Sequence, residues 1–269
     1  MNKPKDIKII ILLGQSNMEG HSWTSYLDRH FPPELVNYYT SPFKTEIAYN
    51  CDNGNNESYD EFVPVRVGQG YDSTRFGPEI GIAAHLEKAQ RSDEFKIIKF
   101  AIGGTSLEVF WRSPSSGIPG LCYVFATNYA HRMLTKLKRD GYNPTVSAIL
   151  YMQGENDSVD GGHLQYEKYL QNLVNDLRNE FKDYAPKAGI YFIDGLINDA
   201  EFWTHHEIIN TAKRNVAKSD PKNIIVDTLT PQLSFSNEPD FEIDWAHYDS
   251  DGTIKLGHLF GEAVTEHIK

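Results

Sequence analysis

Short, almost unbroken apolar runs alternate along this chain with longer stretches in which apolar residues return every three or four positions. Five runs have the length and β-branched character of buried strands: residues 7–13, 95–102, 146–152, 188–193 and 223–228. Strands that are apolar on both faces belong in a parallel sheet, because the crossover helices cover it on both sides. The segments between them have the helical period. Residues 78–90 open on Pro78, which suits a first helical turn. Residues 121–139 carry Phe125, Tyr129, Met133 and Leu137 on one face and stop at Asp140-Gly141. Residues 163–184 repeat Tyr166, Leu170, Leu173, Val174, Leu177 and Phe181, and residues 205–217 and 253–268 continue the same spacing. Strands alternating with helices predict an α/β fold, with a doubly wound parallel sheet of five strands in one domain spanning 1–269. Residues 19–75 break the pattern. Rich in Tyr, Pro, Asn, Asp and Gly, they read as a long irregular insertion.

Composition narrows the partners. The 269 residues are 40% hydrophobic and 23% charged, as in an ordinary globular protein. No apolar run approaches the roughly 20 residues that cross a bilayer, so no membrane association is expected. The N-terminus runs into the first strand without an apolar leader, which reads as cytoplasmic; a secreted protein trimmed of its leader has the same sequence. The net charge of −11 argues against nucleic acid or anionic membrane as a main partner, since polyanions need a basic surface. Cys51 and Cys122 have no metal or redox spacing; they either remain thiols or pair once.

In an open parallel sheet, ligands bind beyond the carboxyl ends of the strands. The first strand leaves into Gly14-Gln15-Ser16-Asn17-Met18, the second into Gly103-Gly104-Thr105-Ser106, and the third into Gln153-Gly154-Glu155-Asn156-Asp157. Asp244-Trp245-Ala246-His247 comes late, before the last helix. Acyl transfer needs this inventory. Ser16 is a nucleophile once a base accepts its proton, and His247 is a base suited to neutral pH. Asp244, three residues earlier, can hold the imidazole tautomer, a role also open to Asp249 or Asp251. The Ser16 amide, a Gly103 or Gly104 amide and the Gln153 side chain are candidate oxyanion donors.

Gly-Gln-Ser-Asn-Met, Gly-Gly-Thr-Ser, Gln-Gly-Glu-x-Asp and the late Asp-x-x-His resemble the blocks of SGNH (GDSL) hydrolases, in the branch of sialate O-acetylesterases and family 6 carbohydrate esterases, which includes acetylxylan esterases. Phe76-Gly77-Pro78-Glu79 is similar to that branch too. The blocks run from residue 14 to 247, nearly the whole chain. The resemblance implies a flavodoxin-like three-layer α/β/α sandwich with no metal or cofactor. It also implies a serine carboxylic ester hydrolase acting on acetylated xylan, sialic acid or related sugars. The wider superfamily places Asn where this chain has Gln153.

Blander readings accompany each residue. Ser16 is otherwise a turn residue, and the rival hydroxyl of Ser106 a local helix cap. Asp249 and Ser250 suit the N-cap of the last helix. Glu155 is either a second acid acting on the base or a buried brace. Gln15 and Asn17 flank the nucleophile as supporting residues, and Arg75 and Trp111 are candidates for touching substrate. Tyr38, Tyr39, Tyr49, Tyr59 and Tyr71 either stack on a sugar or pack the insertion down. His205-His206-Glu207 lacks metal-ligand spacing and reads as a solvated helix start. An esterase or thioesterase for a non-sugar ester, and a non-catalytic carbohydrate-binding protein on this fold, are the alternative functions.

Overall fold

A computed structural model describes residues 3–240 and 242–269. The elements that place the site are, in chain order, β1 (Lys5–Gly14), α1 (Ser16–Glu19), α2 (Pro33–Thr40), β2 (Glu46–Cys51), α3 (Glu79–Lys88), β3 (Phe95–Ala101), α4 (Leu121–Arg139), β4 (Tyr142–Met152), α5 (Glu155–Val159), α6 (Tyr166–Glu180), β5 (Tyr191–Gly195), α7 (His206–Lys218), β6 (Asn223–Val226), β7 (Asp244–Tyr248) and α8 (Ser250–His267). The central sheet runs β6-β5-β4-β1-β3-β2, all parallel, and two short antiparallel strands at Asn56–Glu57 and Val63–Pro64 pair with β2.

The protein is therefore α/β with a central, mostly parallel sheet between helices, and the five strands read from apolar runs are all present. The parallel sheet nevertheless has six strands rather than five. The sixth, β2, comes from the segment expected to be irregular, which also contains α2 and the two-stranded pairing of Ser22–Trp23 with Arg75–Phe76. The run expected at 188–193 starts as a strand only at Tyr191, because Gly189 takes φ +86° in a turn.

Side chains alternate across the sheet and assign the two covering layers. On β5, Asp194 meets Lys213 of α7, whereas Gly195 lies against Phe260 of α8. On β3, Phe100 packs on Tyr129 of α4, whereas Lys99 reaches Glu79 of α3. One layer is thus α4, α6 and α7, and the other is α3 and α8. Lys99 is fully buried, yet its ammonium is satisfied by Glu79 Oε2 at 2.8 Å, Glu19 O at 2.8 Å and Gln69 O at 2.9 Å. Cys51 and Cys122 are free buried thiols, and burial pushes both up to about 12. No helix among the described residues is long and apolar enough to cross a membrane.

Candidate active site

The site begins at a register coincidence. Gly14 closes β1 paired with Ala101 of β3 on one side and Met152 of β4 on the other, so the three following loops start at one level. β1 is also where the strand order reverses, the point at which such sheets open a crevice. Only glycine fits at 14: a Cβ there would lie 2.1 Å from the Met152 carbonyl oxygen. The chain then turns into α1 with Ser16 as its first residue.

The two neighbours of Ser16 are braces. Gln15 Oε1 accepts from Gln153 Nε2 at 3.2 Å and from the Asn156 amide at 3.3 Å, fixing the loop after β4. Asn17 Nδ2 donates to Glu155 Oε1 at 2.9 Å and to Ala246 O at 3.1 Å, while its Oδ1 accepts from the Tyr248 amide at 3.3 Å. Asn17 thereby docks β7, the strand carrying His247, onto the helix carrying Ser16. Glu155 is fully buried, and burial raises its carboxyl above the ordinary range despite the Asn17 hydrogen bond. It bonds to no imidazole among the described residues, so the geometry is that of a brace.

On β7, His247 Nδ1 donates to Asp244 Oδ2 at 2.6 Å, which leaves Nε2 as the acceptor a base requires. Partial burial works to raise Asp244, but the His247 hydrogen bond and charge outweigh it and hold the carboxyl below its usual range. Asp249 instead caps α8 through the Gly252 amide at 2.7 Å. The Ser16 hydroxyl and His247 Nε2 make no hydrogen bond among the described residues; catalytic bonds of this kind often close only when substrate is bound.

Two residues that the sequence reading passed over complete the site. Glu19 is fully buried and accepts from the Gly103 amide at 3.0 Å, the Asp52 amide at 2.8 Å and His21 Nε2 at 2.9 Å. The His21 ring lies flat on His247, with centroids 4.4 Å apart and 4° between planes. Arg75 Nη1 approaches His21 Nδ1 at 3.4 Å, and its guanidinium stacks on Trp23 at 4.3 Å. Burial lowers His21 below its ordinary value; the Glu19 bond opposes this, and the His247 and Arg75 charges add to it. The signal in the sequence was Glu19-x-His21 directly after the nucleophile block. His21, Trp23, Arg75, Glu238, Asp244 and His247 line a cleft of about 250 Å³.

Three expectations need correction. Gln153 is no oxyanion donor: it is fully buried, and its amide is used by Gln15, by Thr105 O at 3.1 Å and by Asp157 Oδ2 at 2.6 Å. Gly103 is excluded because its amide is held by Glu19, whereas the Gly104 amide is unbonded among the described residues. Gly104 sits at φ +68°, a turn conformation that favours glycine. Trp111 touches no substrate cleft: it is fully buried, donates to Thr105 Oγ1 at 2.9 Å and packs edge-on against Phe100 and Tyr151. Ser106 Oγ accepts locally from the Val109 amide at 3.3 Å. Of the tyrosines, Tyr39 and Tyr49 pack into the core, while Tyr71 reaches the site beside His21 at 5.0 Å. His205 stacks on His163 at 3.7 Å, away from this cleft.

The family model for carbohydrate esterases of the sialic acid-specific acetylesterase type matches residues 6–266. The chain belongs to that family. It is accordingly a carboxylic ester hydrolase acting on O-acetyl esters of sugars. Among curated proteins none matches the chain in sequence. Solved structures share the fold. A protein from Arabidopsis thaliana is 16% identical over 99% of this chain and 100% of its own, with a TM-score of 0.70. NanS is 15% identical over 99% and 98%, with a TM-score of 0.69. A carbohydrate acetylesterase from Xanthomonas citri is 13% identical over 96% of this chain and 56% of its own, with a TM-score of 0.61.

Proposed function

We propose that this esterase works through an acetyl-enzyme on Ser16, with His247 as base and Asp244 as the residue that orients it, in a chain acting as a single domain. The observation that carries the reading is the 2.6 Å Asp244–His247 bond on a strand that Asn17 fastens beside Ser16. Ser16 Oγ attacks the acetyl carbonyl carbon while His247 Nε2 takes its proton. The oxyanion is met by the amides of Ser16 and Gly104, each such donor being worth about 3 kcal/mol in the transition state. The bond between carbonyl carbon and sugar oxygen breaks, and His247 returns the proton to that oxygen. Water then adds to the acetyl-serine by the same route, releasing acetate and restoring the hydroxyl. No step calls for a metal or cofactor.

His21 and Glu19 are positioning residues in this scheme. The His21 ring stacked on His247 keeps its plane fixed, and the Glu19 carboxylate ties that ring to the glycine loop that carries the oxyanion donor. Arg75, Trp23 and Tyr71 form the polar and aromatic wall that a sugar would meet. The test is acetate release from acetylated xylose, glucose and sialic acid derivatives by wild type and Ser16→Ala. Release by the wild type alone supports the reading. Equal release by both overturns Ser16 as nucleophile, and better cleavage of longer acyl esters than of acetyl esters would favour a non-sugar substrate.

A further inference from the structure

A second cavity, of about 260 Å³, opens at the carboxyl end of β5 and β6. Strand β7 is the wall between it and the His21–His247 cleft: Asp244 and His247 line one side and Tyr248 the other. Asn198, Thr228, Gln232 and Tyr248 supply its polar lining, Leu229, Leu233 and Phe235 its apolar walls, and Asp199 stands exposed at the rim. Two of these polar groups are poorly satisfied. The Tyr248 hydroxyl and Asn198 Nδ2 belong to residues almost completely buried; Thr228 and Asn198 approach that hydroxyl, but neither group makes a well-formed hydrogen bond among the described residues. Native folds rarely leave such groups unpaired without a reason.

The chemistry presented is specific. Asn198 Oδ1 is used by the Ala200 amide at 3.1 Å, so its NH2 is the available end and donates. The Thr228 hydroxyl gives its proton to Leu196 O at 2.8 Å, which leaves it an acceptor. The Tyr248 hydroxyl both donates and accepts, and Asp199 accepts. No lysine or arginine lines the cavity, so nothing in it favours an anion. Donors and acceptors mixed on an apolar, partly aromatic wall match the hydroxyls and CH face of a neutral sugar ring. Trp245, half exposed on β7, touches Phe235 of the cavity wall at 5.2 Å between ring centroids.

We propose that this cavity is a subsite for a second, neutral, hydroxyl-bearing sugar ring, adjoining the ring whose acetyl ester is cleaved. The inference rests on the sugar acetylesterase reading above and makes an oligosaccharide, rather than a single acetylated ring, the better substrate. The test compares mono-O-acetylated methyl xyloside and glucoside with the matching acetylated β-linked disaccharides, using wild type, Tyr248→Phe and Asp199→Ala, with 4-nitrophenyl acetate as the ring-free ester. The wild type is expected to show kcat/KM at least about tenfold higher on two rings than on one. That ratio should collapse towards one in Tyr248→Phe, mainly through KM, and fall in part in Asp199→Ala. Tyr248→Phe deletes only a buried hydroxyl with no well-formed hydrogen bond, so its unfolding midpoint should change little, which separates lost binding from lost fold. Equal kcat/KM on one and two rings, or a ratio unmoved by both variants, overturns the subsite and leaves the esterase standing. Cleavage of 4-nitrophenyl acetate with no acetate released from any sugar overturns the sugar reading and the subsite with it.

Discussion

The proposed nucleophile and the proposed base sit on opposite kinds of structure. Ser16 belongs to a corner in which every residue from Gln15 to Glu19 is buried, immediately after the central strand of the sheet. His247 and Asp244 ride on a two-stranded ribbon outside that sheet, with side chains 21% and 43% exposed. Backbone register and the core place the first. Side-chain hydrogen bonds hold the second: Asn17 from one side, and from another Glu238, which accepts from the Trp23 amide at 3.2 Å and Ser250 Oγ at 2.8 Å. Ser16 therefore comes with the fold, while His247 has to be fastened to it. Changes in the ribbon should cost rate, and changes in the corner, Ser16 itself apart, should cost stability.

The largest expected effect is on the ribbon. His247→Ala should lower kcat by about 10⁴ or more on 4-nitrophenyl acetate while the thermal midpoint stays put. Asp244→Asn should follow at roughly a hundredfold or more, because the imidazole loses its tautomer control. Unfolding of either variant at room temperature would break the comparison. In the corner the signs reverse. Gly14→Ala forces a Cβ against the Met152 carbonyl and should cost about 3 kcal/mol or more in urea unfolding.

A pH effect sharpens the same contrast. Burial pushes Asp157, which holds the Leu107 and Glu108 amides behind the glycine loop, up to about 6. Its folded-state value lies above that of the unfolded chain, so the folded state binds more protons in that window. Its contribution to stability is then greatest at low pH and falls as pH rises from about 4 to about 6, by at most about 3 kcal/mol. Asp157→Asn should flatten that part of the stability–pH curve, whatever its own cost. The smallest effect is expected from Glu155→Gln, which keeps an acceptor for Asn17 and should change kcat less than about threefold. A hundredfold loss there would make Glu155 a second acid rather than a brace.

The same division explains what the sequence could tell. Five strands were legible because both of their faces are apolar; β2 was not, since Glu46 and Asn50 interrupt it and Asn- and Gly-rich turns surround it. The placing of Ser16 at a strand exit and the pairing of Asp244 with His247 were legible because strand exit and short spacing are local features. Gln153 and Trp111 were misjudged for the opposite reason. Their residue types fit the site, but Thr105 takes the Trp111 donor, and Gln15, Thr105 and Asp157 take that of Gln153; only packing decides that. Glu19 and His21 were missed because a carboxylate two residues from an imidazole is common, and its meaning appears only when the ring is found lying on His247.

Covalent capture of the nucleophile tests the central claim most directly. Incubation with a serine-directed fluorophosphonate, followed by peptide mass spectrometry, should place a single adduct on Ser16, with the label slowed in His247→Ala and absent in Ser16→Ala. An adduct on Ser106 instead, or labelling of Ser16→Ala at the wild-type rate, would contradict the account.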